Sequence, residues 1–413
     1  MTTKLTAVMV VMDGGGDRPV PELGGLTPFQ AAKTPNFDRL ASQGQSGLMH
    51  VISPGVTPGS DTAHLALFGY DPVATYPGRG PLEALGAGLQ SKPGDVAFRA
   101  NFATMNPDFT VIDRRAGREF TSEEGVALQK ALDGLDIDGV KVHFVHTVEH
   151  RGALVLEGKG LSEKITDVDP HEDGKKILQA APLVPEARKT ADVVNRLIRL
   201  SYERLRGLDV NKARQKRGIA PANVLLLRGP GQHREVATLK ERFGIRCAVL
   251  AGGALYIGTA KYVGMDHVKV QGQTGTIDTN FDGIADKAIE CIEGGYDYVF
   301  IHIKATDNAS HDHNVKQKIL AIERTDKMVG RILDKVRDRV VIAVTADHTT
   351  PVTVGEHTCD PVPIVIWAPF LRPDSSKRFT EIDAARGALH TIRGMDVLPT
   401  LLGYAGKTEK FGS

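Results

Sequence analysis

Short apolar runs that end in polar residues recur along the chain. The first covers Ala7 to Met12 and is followed at once by Asp13 and three glycines. Similar runs lie in NVLLLRGPG from Asn223, YDYVFIHIKATDN from Tyr296 and RVVIAVTADHTT from Arg339. Continuous apolar runs of strand length, bounded by turn residues, are typical of strands buried on both faces of a parallel sheet. The pattern therefore predicts buried parallel strands with polar carboxyl ends.

Helical periodicity separates these runs. It is clearest in VKQKILAIERTDKMVGRILDKV, where apolar residues recur at roughly helical spacing, at Ile319, Ile322, Met328, Val329 and Ile332. Strands that alternate with helices indicate an α/β protein with a doubly wound, mostly parallel sheet. Ligands of such sheets bind beyond the carboxyl ends of the strands. We therefore expect Asp13, Asp307 and Asp347 to meet in one crevice.

The regular alternation stops after Tyr70. The stretch DPVATYPGRGPLEALGAG that follows is rich in glycine and proline, and a second polar stretch runs from Val210 to Asn223. We interpret both stretches as crossings of a hinge. At 413 residues the chain is also too long for one ordinary core. We therefore expect a discontinuous core of residues 1–79 and 220–413, with residues 80–219 as an inserted, smaller α/β domain.

Composition narrows the classes of function. Lys and Arg total 51 against 50 Asp and Glu, a net charge of +1, which argues against a broad surface for nucleic acid or an anionic membrane. Cys247, Cys291 and Cys359 lie far apart without a CxxC pair, which favours a reducing cytoplasm over a disulfide-bonded protein. The run Ala7–Met12 is too short for a signal segment or a membrane span.

A nucleotide cofactor is not expected. The glycine triplet Gly14–Gly16 follows a strand-like run, but GGGDRP lacks the GxGxxG pattern and places Pro19 where a helix turn is required. The chain also lacks a GxxxxGK[ST] loop.

Carboxylate and imidazole side chains suggest two metal clusters. The first contains Asp307, His311 and His357. The second contains Asp13, Asp347, His348 and the hydroxyl of Ser60. Mixed ligands of this kind suit manganese or zinc better than magnesium. One helical turn would bring Asp307 and His311 to the same face. Asp347 and His348 are adjacent, and we expect their side chains to point in different directions because neighbouring side chains diverge at a strand end. Such a pair suits ligands that serve a bridging or split pair of ions.

Each of these residues also has a structural interpretation. Asp13 could be a turn former or helix cap, and His357 could be a satisfied polar residue. His302 and His313 could replace a misassigned ligand. The metal interpretation is favoured because ADHTTP, DNASH and EHTCDPVP are all short, polar and adjacent to strand-like runs.

Ser60 is the candidate nucleophile. It lies in GVTPGSDTAHLALFGY, just before a short helical stretch that stops at Gly69. The positive end of a helix dipole favours an anion there, and a bound divalent ion lowers the pKa of a coordinated oxygen. The two effects would activate the serine without a histidine base. The alternative is that Ser60 is only an N-cap.

Several segments together resemble the archaeal-type, cofactor-independent phosphoglycerate mutases of the alkaline phosphatase superfamily. They are MDGGGDRP, TPNFDRLASQG, TPGSDTAHLALFGYDP, DNASH, TADHTTP and HTCDPVPI, with FRANFAT, DRRAGR and EHRGALVLEG in the insert. The resemblance spans nearly the whole chain. It implies an alkaline-phosphatase-like core that carries the serine and two divalent metals, with manganese favoured over magnesium, cobalt or zinc. It also implies an insert that closes over phosphoglycerate, and no need for 2,3-bisphosphoglycerate.

The resemblance implies roles for individual residues. One ion is held by Asp307, His311 and His357, and the other by Asp13, Ser60, Asp347 and His348. Substrate binding falls to Arg99, Arg114, Arg118, His150, Arg151 and Lys261. Two departures stand out: ATDNASH has threonine and alanine where the family commonly has glutamate and glycine, and Cys359 brings a thiol close to His357.

The expected reaction is the interconversion of 3-phosphoglycerate and 2-phosphoglycerate through a phosphoserine. The alternative is a metal-dependent phosphomonoesterase, or a phosphotransferase that acts on another small hydroxy-acid or amino-acid phosphate. The oligomeric state stays open.

Overall fold

A computed structural model describes residues 5–410 and residue 412. The chain divides into two compact units. The core unit comprises Met1–Tyr76 and Val236–Ser413, and the insert unit comprises Pro77–Glu235.

The helices and strands follow in chain order. The first segment of the core unit contains β1 (Thr6–Met12), α1 (Pro28–Ala31), α2 (Pro35–Gln43), β2 (Gln45–His50), α3 (Ser60–Leu67) and α4 (Pro72–Thr75). The insert unit contains α5 (Arg79–Gly86), β3 (Val96–Met105), β4 (Val111–Asp113), α6 (Ser122–Lys130), β5 (Asp136–Ile137), β6 (Val140–His146), β7 (Arg151–Glu157), α7 (Arg188–Leu205), α8 (Asp209–Lys216) and β8 (Val224–Gln232). The second segment of the core unit contains α9 (Leu239–Phe243), β9 (Cys247–Leu250), α10 (Ala254–Tyr262), β10 (Asp266–His267), α11 (Phe281–Glu293), β11 (Tyr298–Ile303), α12 (Ala305–His311), α13 (Val315–Val336), β12 (Val340–Ala346), β13 (Val362–Trp367), α14 (Glu381–Ala384), β14 (His390–Arg393) and α15 (Gly394–Tyr404). Short 3-10 turns lie at Pro21–Leu23, Pro185–Ala187 and Arg337–Arg339.

An eight-stranded sheet forms the centre of the core unit, in the order β10-β9-β11-β1-β12-β13-β2-β14. The five strands from β10 to β12 in this order run parallel to one another, whereas β13 is antiparallel to both β12 and β2. Strands β1, β11 and β12 are buried along their whole length. The predicted α/β fold with a mostly parallel sheet is therefore confirmed.

The register of the central strands brings three strand ends level. Met12 of β1 pairs with Ile303 of β11 on one side and with Ala346 of β12 on the other. The next residues along the chain are Asp13, Lys304 and Asp347. Because these parallel strands end at the same edge of the sheet, the three charged residues lie next to one another just beyond that edge.

The longest predicted helix is confirmed as α13. Its N-cap is Asn314, whose side-chain oxygen accepts a hydrogen bond from the Gln317 amide. Ile322, Val329 and other apolar residues of one face are buried in the main hydrophobic core. Within the described part of the chain, no helix combines the length and the apolar character needed to cross a bilayer.

The insert unit has a separate sheet and a separate apolar core. Its six strands are antiparallel, in the order β4-β3-β7-β6-β5, with β8 also paired to β3. The expectation that NVLLLRGPG is a parallel strand of the core is therefore wrong, since β8 belongs to this second sheet. The unit accordingly ends at Glu235 rather than at residue 219. An apolar run such as Val224–Leu227 becomes buried in either kind of sheet, so its hydropathy does not identify its partner.

The polar stretch from Val210 to Asn223 is predicted to be a hinge crossing between the units. That prediction is wrong, because the stretch lies within the insert unit. It contains most of α8, and three of its polar residues, Asn211, Arg214 and Asn223, are buried. The Asn211 amide donates to the carbonyls of Leu205 and Ala222, and it accepts from the Ala222 amide. Buried hydrogen-bonding groups and the exposed face of a helix therefore account for the polarity of this stretch.

A buried ion pair ties α13 to the loop that follows β1. Lys318 Nζ lies 2.8 Å from Asp17 Oδ2, and neither side chain is exposed to solvent. The same ammonium donates to the carbonyls of Gly16 and Thr350. Lys318 therefore connects the loops that follow β1 and β12.

Substitution Lys318→Met should destabilise the core unit by about 3–5 kcal/mol, because the Asp17 carboxylate would stay buried without its cation. The matched control is Lys287→Met, which removes an exposed pair with Glu290 and should leave the unfolding free energy nearly unchanged. Urea unfolding of both variants measures the difference. Equal stability losses would contradict a special role for the buried pair.

Candidate metal centre

Carboxylate and imidazole groups converge beyond the ends of β1, β11 and β12. Ligand atoms of Asp13, Asp347 and His348 all lie within 4.8 Å of one another, and so do those of Asp307, His348 and His357. All except His357 are buried. The structure therefore brings Asp13 and Asp347 at strand ends and Asp307 in the first turn of α12 into one cluster, with His348 shared by both groups.

The first group agrees with the predicted set of Asp13, Asp347 and His348, and Ser60 Oγ lies 3.3 Å from His348 Nε2. The second group contains Asp307 and His357 of the predicted set together with His348, but not His311. His311 nevertheless lies one turn from Asp307 on α12, as predicted, with Nε2 3.2 Å from Asp307 Oδ2. His357 Nε2 lies 3.7 Å from Asp307 Oδ1.

Asp347 and His348 do not diverge, contrary to expectation. His348 Nε2 lies 3.4 Å from Asp347 Oδ2. The reason is that β12 ends at Ala346, so both residues belong to the bend after the strand, where side chains no longer alternate between faces. His348 also stacks on His357, with 3.6 Å between the ring centroids.

Ser60 is the first residue of α3. The N-cap is Gly59, so the interpretation of Ser60 as an N-cap is wrong. One turn later, His64 Nδ1 lies 2.6 Å from the Ser60 carbonyl oxygen. Burial, together with His302, lowers the pKa of His64 to about 3, so this ring is neutral at pH 7 and donates to that carbonyl. His64 thus fixes the first turn of the helix that carries the serine.

The residues of the cluster fit divalent cations. Asp13 Oδ1 and Asp347 Oδ2 are buried and have no hydrogen-bond partner among the described residues. Burial and the neighbouring Asp13 carboxylate raise the pKa of Asp347 above its usual range. Buried carboxylate oxygens of this kind are costly unless a cation binds them. The mixed oxygen and nitrogen donors suit manganese or zinc.

Asp13 and Asp307 are held ionised. Burial would raise the pKa of Asp13, but the Lys304 ammonium and the neighbouring His302 and His348 rings bring it well below the usual range. Burial and Asp13 would also raise the pKa of Asp307, whereas His311 and Lys304 lower it. The hydrogen bond to Asp307 raises the pKa of His311 to about 9.

Lys304 is a member of the site that the sequence analysis did not single out. Its Nζ lies 3.2 Å from Asp13 Oδ2 and 2.5 Å from Asp307 Oδ2. The signal that could have revealed it is positional, because Lys304 follows β11 as Asp13 follows β1. His302, considered as a substitute ligand, lies with Nε2 2.9 Å from Asp13 Oδ2.

Two other residues considered near the metals lie outside both groups. His313 Nδ1 donates to the Val352 carbonyl at 2.7 Å. Cys359 is exposed, and neither group found among the described residues includes it.

The insert unit contains a cavity of about 250 Å³. Its lining comprises Arg99, Asn101, Arg114, Arg115, Arg118, Glu149, His150, Arg151 and Arg228. Strand register explains part of this set, since Arg99 on β3 is opposite Arg228 on β8, and Asn101 is opposite Arg151 on β7. Directly opposite residues of antiparallel strands share one face of the sheet. The cavity is therefore strongly cationic and suits phosphate or carboxylate groups.

Five of the six predicted substrate residues line this cavity: Arg99, Arg114, Arg118, His150 and Arg151. The sixth, Lys261, lies in the last turn of α10 in the core unit. Arg228 was missed because its strand had been assigned to the core. Burial and Arg151 lower the pKa of His150 to about 4, so it is neutral at pH 7. Asn101 Oδ1 and His150 Nδ1 are buried without a hydrogen-bond partner among the described residues.

The core unit therefore combines a mostly parallel α/β sheet with a carboxylate and imidazole cluster at the ends of its central strands. A family model described as 2,3-bisphosphoglycerate-independent phosphoglycerate mutase matches residues 41–211. A relative of that name from Ignicoccus hospitalis is 49% identical, over 99% of this chain and 100% of its own length. Another, from Methanocaldococcus jannaschii, is 45% identical over 98% of each chain. The chain therefore belongs to the family of 2,3-bisphosphoglycerate-independent phosphoglycerate mutases.

Solved structures agree with this assignment. A protein from Pyrococcus horikoshii is 37% identical with a TM-score of 0.86, and the match covers 100% of both chains. The cofactor-independent phosphoglycerate mutase of Thermoplasma acidophilum is 38% identical with a TM-score of 0.73, over 97% of this chain and 100% of its own. The resemblance found in the sequence is confirmed.

The turn at Gly14 offers a test of the cluster. A Cβ at Gly14 would lie 2.5 Å from Asp307 Oδ1, and the residue has φ +60°. Gly14→Ala should therefore displace Asp307 and weaken divalent-cation binding about 10–100-fold, the range for displaced partners of a metal ligand. Isothermal titration with Mn²⁺ measures the change.

The control is Gly24→Ala, at φ +66° with no atom within 4 Å of the added Cβ. It carries a similar left-handed backbone cost of roughly 1–2 kcal/mol but should leave Mn²⁺ binding unchanged. Equal loss of binding in both variants would show that backbone strain, not contact with Asp307, is responsible.

Proposed function

We propose that this chain interconverts 3-phosphoglycerate and 2-phosphoglycerate through a phosphoserine at Ser60. The observation that carries the proposal is the position of Ser60 Oγ, at the first turn of α3 and 3.3 Å from His348 Nε2. A serine there faces the cation-binding cluster, and the helix dipole favours the anionic phosphoryl group. The family of the chain and the names of its relatives support the same reaction.

We assign one divalent ion to Asp307, His311 and His357, and the other to Asp13, Ser60, Asp347 and His348. The mixed donor set favours manganese as the ion. Bound there, the ions would stabilise negative charge on the phosphoryl oxygens and lower the pKa of the serine hydroxyl. The position of His348 in both geometric groups supports two closely spaced ions.

The transfer takes place in two displacements. Ser60 Oγ loses its proton and forms a bond to phosphorus while the bond from phosphorus to the substrate oxygen breaks. The departing oxygen takes up a proton, which leaves phosphoserine and glycerate. The other hydroxyl of glycerate then attacks the phosphoserine and releases the serine. The phosphate donor is the substrate itself, so 2,3-bisphosphoglycerate is not required.

Retention of glycerate separates a mutase from a phosphatase, because water would otherwise hydrolyse the phosphoserine. We assign retention to the insert unit, whose Arg99, Arg118 and Arg151 supply forks for the carboxylate, with Arg114 as a further cation beside them. Lys261 of the core unit stays a proposed substrate-binding residue. The unpartnered Asn101 Oδ1 and His150 Nδ1 support hydrogen bonds to the hydroxyls of glycerate. Such an enzyme would serve glycolysis and gluconeogenesis in the cytoplasm.

The direct test incubates the pure protein with 3-phosphoglycerate and Mn²⁺, without 2,3-bisphosphoglycerate, and measures 2-phosphoglycerate and free phosphate side by side. We expect 2-phosphoglycerate to dominate and exhaustive chelation to stop the reaction, because the carboxylate cluster needs its cations. Free phosphate as the main product would identify a phosphomonoesterase instead. Full activity after chelation would exclude the two-metal assignment.

Ser60→Ala should lower mutase turnover by roughly a thousandfold or more, because the covalent route is lost, while much of the Mn²⁺ binding remains. Wild-type enzyme quenched during turnover of phosphate-labelled 3-phosphoglycerate should carry the label on the peptide that contains Ser60, as mapped by mass spectrometry. Thr62→Ala is the control on the same helix, since Thr62 Oγ1 only donates to the Gly59 carbonyl, and it should keep the label. Near-normal turnover in Ser60→Ala would refute the mechanism.

A further inference from the structure

One turn of the insert unit supplies three arginines of the cavity. Arg114, Arg115 and Arg118 all belong to the segment Asp113–Arg118, which is named the arginine turn below. Its last three residues, Ala116, Gly117 and Arg118, have φ values of 44°, 77° and 59°. Left-handed backbone is unfavourable for residues with a Cβ, so Ala116 and Arg118 keep it only where their surroundings hold them.

Hydrogen bonds within and beside the arginine turn hold several of its amides, including that of Arg118, which donates to the Arg115 carbonyl at 2.9 Å. The Asp113 carboxylate accepts hydrogen bonds from the amides of Arg115 and Gly117, each at 2.7 Å. The Arg114 guanidinium binds Asp169 through two hydrogen bonds of 2.7 Å. These contacts hold amides and one side chain but do not reach the carbonyl groups on either side of Arg118.

Arg214 of α8 binds both of those carbonyls. Its Nη2 donates to the Ala116 oxygen and its Nη1 to the Glu119 oxygen, each at 2.7 Å. In the sequence, Arg118 therefore lies between two residues, Ala116 and Glu119, whose carbonyl groups the Arg214 guanidinium binds. Nε donates to the Ala220 carbonyl at 3.0 Å, which ties the group to the segment after α8.

The guanidinium of Arg214 is separate from the cavity. Its side chain is 0% exposed, and Arg214 is not among the lining residues. Glu124 Oε2 lies 2.7 Å from its Nη1 and neutralises its charge, and the Phe120 ring lies 4.2 Å from its Cζ. Arg214 therefore affects a ligand in the cavity only through the backbone that it holds.

We infer that Arg214 is a positioning residue, which holds the arginine turn in its left-handed conformation and so directs Arg118 into the anion cavity. This inference rests on the proposed function, in which that cavity binds the substrate. The planar guanidinium is required because it reaches several acceptors in fixed directions at once. A lysine ammonium would keep the charge opposite Glu124 but not that geometry.

Arg214→Lys is the informative variant, because it preserves a cation beside the buried carboxylate. We expect faster amide hydrogen exchange in the peptide that covers the arginine turn. We also expect the KM for 3-phosphoglycerate to rise about tenfold, the equivalent of one lost charge-assisted hydrogen bond, with a smaller change in kcat. Phe120→Leu removes the ring beside the guanidinium but keeps its hydrogen bonds, and should shift exchange and KM in the same direction by less.

Two controls separate positioning from general stability. Arg217→Met removes a second arginine that pairs with Glu124, and the Arg217 side chain is half-exposed. Asn211→Ala removes buried hydrogen bonds of α8 without touching the arginine turn. Both variants should keep wild-type KM and wild-type exchange in the turn, although Asn211→Ala should lower the melting temperature.

The outcomes are distinct. An unchanged KM in Arg214→Lys, or an equal rise in Asn211→Ala, would overturn the positioning role. Calorimetric binding of 3-phosphoglycerate to each variant combined with Ser60→Ala gives the same comparison without turnover. Absence of mutase activity in the wild-type protein would instead refute the proposed function, while exchange in the arginine turn would still report whether Arg214 holds it.

Discussion

Repulsion among three buried carboxylates is the constraint around which the core unit is built. The pairing of Met12 with both Ile303 and Ala346 brings Asp13 and Asp347 level at the ends of adjacent strands, and α12 adds Asp307 one turn later. Like charges at such spacing, away from water, persist only with cations among them. Lys304 and the surrounding histidines meet part of that need, and the oxygens left unpartnered create the demand for divalent ions.

The two units carry opposite charge at their functional groups. The core unit concentrates carboxylates that attract cations, and the insert unit concentrates arginines that attract anions. A net charge of +1 conceals this division, because composition averages over the chain. A phosphorylated hydroxy acid carries two anionic groups, and carboxylates bind an anion only through cations that they hold. In the proposed function, the core unit performs the transfer through its bound cations and the insert unit retains the acceptor with its arginines.

Both units hold their functional loops with a buried cation that binds backbone carbonyls. Lys318 donates to Gly16 and Thr350, beside the loops that carry the carboxylate cluster. Arg214 donates to carbonyls on either side of Arg118. Each cation is neutralised by a buried acid, Asp17 or Glu124. Loops that cannot be stabilised by regular strand or helix hydrogen bonds obtain fixed geometry from such anchors.

Local pattern was sufficient for much of this molecule. Apolar runs revealed β1, β11 and β12, periodicity revealed α13, and short polar motifs revealed Ser60, the carboxylates and the histidines, because each signal lies within a few neighbouring residues. Pairing between distant segments could not be read in the same way. Hydropathy shows that β8 is buried but not which sheet buries it, and so it hid Arg228. Lys304, the sharing of His348 and the anchoring by Arg214 likewise depend on strand register and loop geometry, which arise only when the chain folds upon itself.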